Sequence, residues 1–571
     1  MINLKKYFLL IVCSILTTVI ITGILNHIFT NHQNQISSDT VLNNYEFVKD
    51  FVKYEPENNN PVDEELVSQI IYINPQNIKA SDSNPGTEEL PLITLTKATE
   101  IAKQNYQNNL GTKVIIYPGI YRESVNFFIE DKKQNAPIIF EAKEPGKVII
   151  SGSDIWKNWT QEPNSKIYTH NWPYKWKVGE NPWAKDIEVK PIVRRKEIVF
   201  VNGKLLKQKL SFNKLKEGNF YISEEAEKIY IYPESGTDME NSTIEVGTRN
   251  TLFYSKGISN VVIRGITFQH ATSNFFRDSA VLISSGDNIL VENSQFLWNN
   301  WQGLYLYDCQ NAIVRKVTAN YNGERGIAGY KLRNALYEDV ESSYNNWRGN
   351  WGGFYGWDAG QKFFFLRNVT FRRYKAVGNM ASGLWLDSDN INVWIDRSQI
   401  CNNFQTGLYI ETSYNILVTN SKICRNRADP NDAFHHPGII GSNASHVTLE
   451  NNLICGNERS QIKVYVNKKR QITDGYTEEK YFLNNDNWVL KNNKIISENA
   501  SQLLIYLQPS WQAFTGSWIS KNNTWYNPDT PNSFQIRDNR EKAKSLQEWQ
   551  SIVGLDKESV FAKPQGKLDC M

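Results

Sequence analysis

At 571 residues the chain exceeds an ordinary single domain, unless it is an array that grows along one axis. Its net charge of +3 is too small to imply a nucleic-acid partner. Aromatic residues reach 12%, with 17 Trp and 28 Tyr, an excess that suits either heavy packing or a sugar-binding surface.

Lys5 and Lys6 precede an uncharged, mostly apolar run from Tyr7 to Ile24 that continues to Phe29, near the ~20 residues a membrane span requires. No small-x-small cleavage site follows, so residues 1–29 read as a signal anchor with the basic end in the cytoplasm. The remainder would then face the extracytoplasmic side, as periplasm or cell surface; a cleaved signal peptide would make it secreted. Residues 30–66 are polar, with Asn58–Asn60 before Pro61, and read as a tether.

The globular part opens at residue 67 with a strand, Gln69–Asn74. Leu95, Ala98, Ile101 and Ala102 then have helical spacing, ahead of the β-rich segments Lys113–Tyr117, Ala136–Glu141 and Lys147–Ser151. Residues 67–154 therefore read as a helical cap on the first coils of a solenoid. Residues 155–250, with strands of their own and turns at Asn202-Gly203 and Glu217-Gly218, read as an inserted β-rich domain.

Residues 251–540 read as the main body of a solenoid, whose repeat is explicit from about 255 to 467. Its coils open at Asn288, Asn311, Asn334, Gln361, Asn392, Asn415 and His446, at intervals of 23, 23, 27, 31, 23 and 31. Eleven residues into each coil stand Asn299, Asn322, Asn345, Asn403, Asn426 and Asn457, a column broken by Arg372. Stacked Asn side chains pin a tight corner. Cys401, Cys424 and Cys455 fall nine residues into their coils and read as a stack of reduced core thiols, while no CxxC pair occurs. Period and columns together predict an all-β, right-handed parallel β-helix. Residues 541–571 close it, with Ser545-x-x-Glu548 as the capping box of a short helix ending at Gly554.

The coils align on Gly303, Gly326, Gly353, Gly383, Gly407 and Gly438. Residues one and three beyond each glycine are apolar or tiny and face inward, because strand side chains alternate. The outward columns are then Tyr305, Ala328, Tyr355, Trp385, Tyr409 and Ile440, and Tyr307, Tyr330, Trp357, Asp387, Glu411 and Ser442. This face is paved with rings around two carboxylates. Extra residues in three coils enter between the Asn turn and the glycine, so three loops should rise at one edge. They carry Trp347, Arg348 and Trp351; Arg373, Tyr374 and Lys375; and Asp429, Asp432, His435 and His436. We read Tyr307, Tyr330, Tyr355, Trp357, Trp385, Tyr409, Trp347, Trp351, Arg348, His435 and His436 as the lining of a saccharide cleft. The adjacent histidines lack the spacing of a metal site, so no metal is expected there.

Strands lie ~4.8 Å apart, so Asp387 and Glu411 should hold their carboxyls about 5 Å apart, the separation of retaining glycosidases. Like charges opposite one another are destabilising and raise one proton affinity, as a general acid requires. The blander reading makes both solvated surface acids, and Asp389 replaces Asp387 if the strand ends early.

The frame SDSNPGTEELPLITLTKATEIA, the PGIYRE turn at Pro118–Glu123 and the closing SLQEWQSIVGLDKESVF resemble the pectate-lyase-like β-helix superfamily. More narrowly, WLD at Trp385–Asp387 with an acid 24 residues later is similar to the β-helix glycoside hydrolases of the β-xylosidase type. That resemblance implies Asp387 as nucleophile and Glu411 as acid/base, with no cofactor and an oligo- or polysaccharide partner. Ser388 after the aspartate and Thr412-Ser413-Tyr414 after the glutamate depart from the family pattern. Two other readings remain. One is a polysaccharide lyase with Lys331 or Arg348 as base and Ca²⁺ for a uronate; the other is a non-catalytic carbohydrate-binding protein.

Overall fold

The computed structural model describes residues 51–565 except 130–133, 182–187, 274–277, 353–358, 428–436, 467–469 and 537–541. The segment read as a signal anchor lies outside them. Among the described residues, no helix is long and apolar enough to cross a membrane.

Parallel strands stack into a β-helix whose faces are a 13-stranded sheet, a 12-stranded sheet and a third face built from a 4-stranded and a 7-stranded sheet. After the first strand, Val67–Ile73, each turn contributes one strand to each of the two long sheets, so equivalent residues of successive coils fall in register. One buried cluster, from Ile71 to Trp549, fills the interior along the axis. The helix Leu95–Gln107 packs on the first strands, with the Thr94 side chain accepting from the Lys97 amide. At the other end Ser545 and Glu548 cap the helix Leu546–Val553, which buries Leu546 and Trp549. The inserted region forms a 4-stranded and a 5-stranded sheet between Ser153 and Gly247 around Trp172, Phe220 and Ile231.

The Asn column is continuous. Each Asn amide donates to the side-chain oxygen of the next, through Asn299, Asn322, Asn345, Asn379, Asn403, Asn426 and Asn457, at 2.8–3.1 Å. Asn379, not Arg372, holds the fourth place. The coil boundaries shift accordingly: Asn368 bonds Asn334 and Asn392 across intervals of 34 and 24, so it opens the coil assigned to Gln361. The two divisions have the same sum, and only the ladder distinguishes them. Asn403→Leu should cost about 3–4 kcal/mol in chemical denaturation, because it strands the Asn379 amide and the Ala376 carbonyl away from water.

Two further expectations change. Cys401 and Cys424 form a disulfide instead of remaining reduced, since paired positions of adjacent strands bring their Cα atoms to 4.6 Å. Cys455 follows in register. Residues 51–66, part of the segment read as a tether, lie along the 13-stranded sheet. The Tyr54 carbonyl accepts from Thr370, Lys53 sits 4.6 Å over Trp394, and Val62 packs on Ile139 and Leu290. Their few apolar side chains find a complementary apolar stripe on the outer face of the sheet.

Candidate active site

The 12-stranded sheet carries the candidate residues. In register, Lys362 pairs with Trp385, Trp385 with Tyr409, Tyr409 with Ile440, and Ile440 with Lys463. The second outward column runs Tyr307, Tyr330 and Phe364, then Glu411, Ser442 and Tyr465; Asp387 continues it between them, one residue beyond the paired Phe363, Leu386 and Ile410. The places expected for Tyr355 and Trp357 are therefore held by Lys362 and Phe364, because Gly360 rather than Gly353 sets the frame of that coil. Tyr355 and Trp357 themselves lie outside the described residues, as do Asp429, Asp432, His435 and His436.

Asp387 directly follows the strand Ser382–Leu386 and Glu411 ends the adjacent strand Leu408–Glu411, with Leu386 and Ile410 paired just before them; each acid side chain is only 10–12% exposed. One oxygen of Asp387 faces Lys362 Nζ at 3.0 Å. The other accepts from the Ser388 amide at 2.6 Å and hydroxyl at 3.0 Å. Burial works against ionisation of Asp387, but Lys362 and the Ser388 donors overcome it and hold the carboxyl below its ordinary range. Glu411 accepts from Trp385 Nε1 at 3.2 Å and from Arg470. Burial and the neighbouring Asp387 charge push its proton affinity up, and Arg470 offsets only part of that. The two acids are thus displaced in opposite directions, the division that separate acid and nucleophile roles require.

Aromatic rings frame the pair. Trp385 and Tyr409 stack at 4.6 Å, Lys362 Nζ lies 3.5 Å from the Trp385 ring centre, and the Tyr409 and Tyr465 hydroxyls meet at 3.1 Å. Tyr307 and Tyr330, three and two coils before Asp387, stack at 4.8 Å.

Extra residues enter between the Asn turn and the glycine in two coils, not three. Of the loop expected at 373–375, Tyr374 is fully buried and Arg373 pairs with Asp339. Arg348 is placed by the helix Trp347–Gly352 and fully buried, donating to Asn300, Gln208 and the Glu197 carbonyl. It joins the insertion to the β-helix and does not face a cleft, since satisfying five guanidinium donors is what permits its burial. Trp347 packs on Ile198 and Phe200 in the same joint. Trp351 lines an open cavity of about 610 Å³ with Trp298, Lys204 and Glu234, and neither Asp387 nor Glu411 is part of that lining.

A long excursion after the strand Ser460–Tyr465 brings in what sequence reasoning missed. Its Arg470 reaches Glu411. The excursion is fastened at Asp389, which accepts from Tyr481 Oη at 2.6 Å and the Gly475 amide at 2.7 Å and pairs with Arg367 at 2.8 Å. Arg367 also holds Asp474. Asp389, the alternative to Asp387, is thus a fully buried anchor. Among the described residues, no three His, Cys, Asp or Glu side chains converge to hold a metal ion.

A family model described as the right handed beta helix region matches residues 218–369 and 352–540. The solved complex of XylC with xylose superposes with a TM-score of 0.60 at 15% identity, over 83% of this chain and 86% of that one. The A-module of the Azotobacter vinelandii mannuronan C-5 epimerase AlgE6 gives a TM-score of 0.46 at 12% identity, over 82% and 95%. A protein described as a glycoside hydrolase gives 0.41 at 14%, over 85% and 100%. At these identities the likeness is one of fold. No curated protein matches the chain.

Proposed function

We propose that the chain, which belongs to the right-handed β-helix family, is a retaining glycoside hydrolase. The observation that carries this reading is the pair Asp387 and Glu411, which follow the paired Leu386 and Ile410 and have proton affinities displaced in opposite directions. Ionised Asp387 attacks the anomeric carbon while Glu411 gives its proton to the departing glycosidic oxygen. Water then donates a proton to Glu411 as its oxygen displaces Asp387, restoring both groups and the original anomeric configuration. One strand spacing suits the ~5–5.5 Å of a retaining pair better than the ~6.5–9.5 Å of an inverting one. Trp385 and Tyr409 would form the wall beside the reacting sugar, with Tyr307 and Tyr330 farther along the same face. Both half-reactions are proton and carboxylate chemistry, so the mechanism calls on no cofactor.

The Cys401–Cys424 disulfide supports an oxidising, extracytoplasmic setting, in keeping with the anchor read at residues 1–29. The lyase alternative is weakened by the burial of Arg348; Lys331 lies 5.8 Å from the Tyr476 ring centre. The test is a screen of a soluble chain beginning before residue 51 against aryl glycosides and uronate polysaccharides. New reducing ends without ultraviolet absorbance, and a first product of retained configuration by NMR, are expected. Absorbance from unsaturated uronates would replace the hydrolase by a lyase.

A further inference from the structure

Arg470 presents a conflict that the hydrolase reading must resolve. Its guanidinium pairs with Glu411, yet Glu411 must carry a proton when the leaving oxygen departs. A cation against a protonated acid loses its counter-charge, and Asp387, the other acid of the column, already faces Lys362. The Arg470 side chain is 40% exposed whereas Glu411 is 10% exposed, so the cation stands at the solvent side of the pair. Lys463, two strands from Tyr409 in the neighbouring column, adds positive charge on the same wall.

We propose that Arg470 receives an anionic group of the sugar, a carboxylate or a sulfate, and that this transfer from Glu411 to substrate readies Glu411 as the acid. The inference rests on the hydrolase reading and names its substrate class: acidic glycosides in preference to their neutral counterparts. No bond is made or broken in the exchange; one ion pair replaces another, and Glu411 takes its proton from solvent. The guanidinium fork matches either oxyanion in two-point contact, which a lysine cannot reproduce. The groups facing Glu411 are Asp387, Lys362, Arg470 and Tyr409. Of these Arg470 is the one carried by the excursion rather than by the sheet, so it can be drawn away while the others stay.

The experiment compares kcat/KM across pH for matched 4-nitrophenyl glycosides: glucoside with glucuronide and 6-sulfoglucoside, and galactoside with galacturonide. The acidic member is expected to lead by at least thirtyfold, and the glucuronide and sulfo arms tell carboxylate from sulfate. In Arg470→Gln the lead should fall below threefold, and the basic limb of the neutral-substrate profile should move to higher pH, because the cation that favours ionised Glu411 is gone. Arg470→Lys should restore part of the lead. A neutral partner cleaved as well as the acidic one, or a lead unchanged in Arg470→Gln, overturns the inference and leaves the hydrolase reading standing. Turnover of none of these glycosides counts against the hydrolase itself. Calorimetric titration of the unaltered protein with glucuronate, galacturonate, glucose and galactose then decides: equal or absent binding of acid and neutral sugar overturns the inference too.

Discussion

Asp387→Gly is expected to lower kcat/KM on an aryl glycoside by at least about 10⁴-fold, since no other carboxylate of the column is placed to attack in its stead. Added azide should restore turnover in this variant and give a glycosyl azide of inverted configuration, because the small anion occupies the vacated site and attacks once. Glu411→Gln should behave differently. A substrate with an acidic leaving group needs little help from a proton, so the first step survives while the second slows, and azide yields a product of retained configuration. The wild-type profile should be bell-shaped. Lys362 and the Ser388 donors hold Asp387 below its ordinary range, so the acid limb should fall lower than for a free aspartate. Burial and Asp387 raise Glu411, so the basic limb should lie higher than for a free glutamate. Azide products of the same configuration from both variants would contradict the assigned roles.

Much of the architecture was legible because a β-helix writes its geometry into spacing. The 23-residue interval, the Asn column and the glycine frame each reflect one repeated backbone contact, and they placed Asp387 and Glu411 on neighbouring coils. The frame failed where a coil lengthens. Gly353 and Gly360 both suit the pattern, and Gln361 can pass for a coil opener; only the bonds from Asn368 to Asn334 and Asn392 choose between them. That slip concealed Lys362, the residue that holds Asp387 ionised. Arg470 was hidden for another reason. Its partner lies 59 residues away along the chain, and a basic run inside an excursion has no periodicity to reveal its direction. The disulfide was half legible: the column was visible, but redox state does not follow from spacing.

Asp389→Ala should separate the scaffold of the site from its chemistry. Asp389 touches neither carboxylate of the pair through any hydrogen bond; it holds Tyr481, Gly475 and Arg367 from a fully buried position with φ of 59°. Removing its carboxylate deletes the oxygens that the Gly475 amide and the Tyr481 hydroxyl donate to, and leaves Arg367 with Asp474 and the Leu366 and Asp389 carbonyls. A cost of about 3–4 kcal/mol is expected from these losses. Tyr481→Phe, which deletes one bond and keeps the ring, should cost only about 1–1.5 kcal/mol. Hydrogen exchange should locate the damage: residues 470–483 should lose protection at least tenfold while Leu408–Glu411 stays as in the parent. Because Arg470 travels on the same excursion, Asp389→Ala should also carry the Arg470→Gln signature, a basic limb moved to higher pH, although Arg470 itself is intact. If exchange instead rises uniformly along the sheet, the excursion is part of the core rather than a separately fastened arm, and Arg470 would then be as fixed as Lys362.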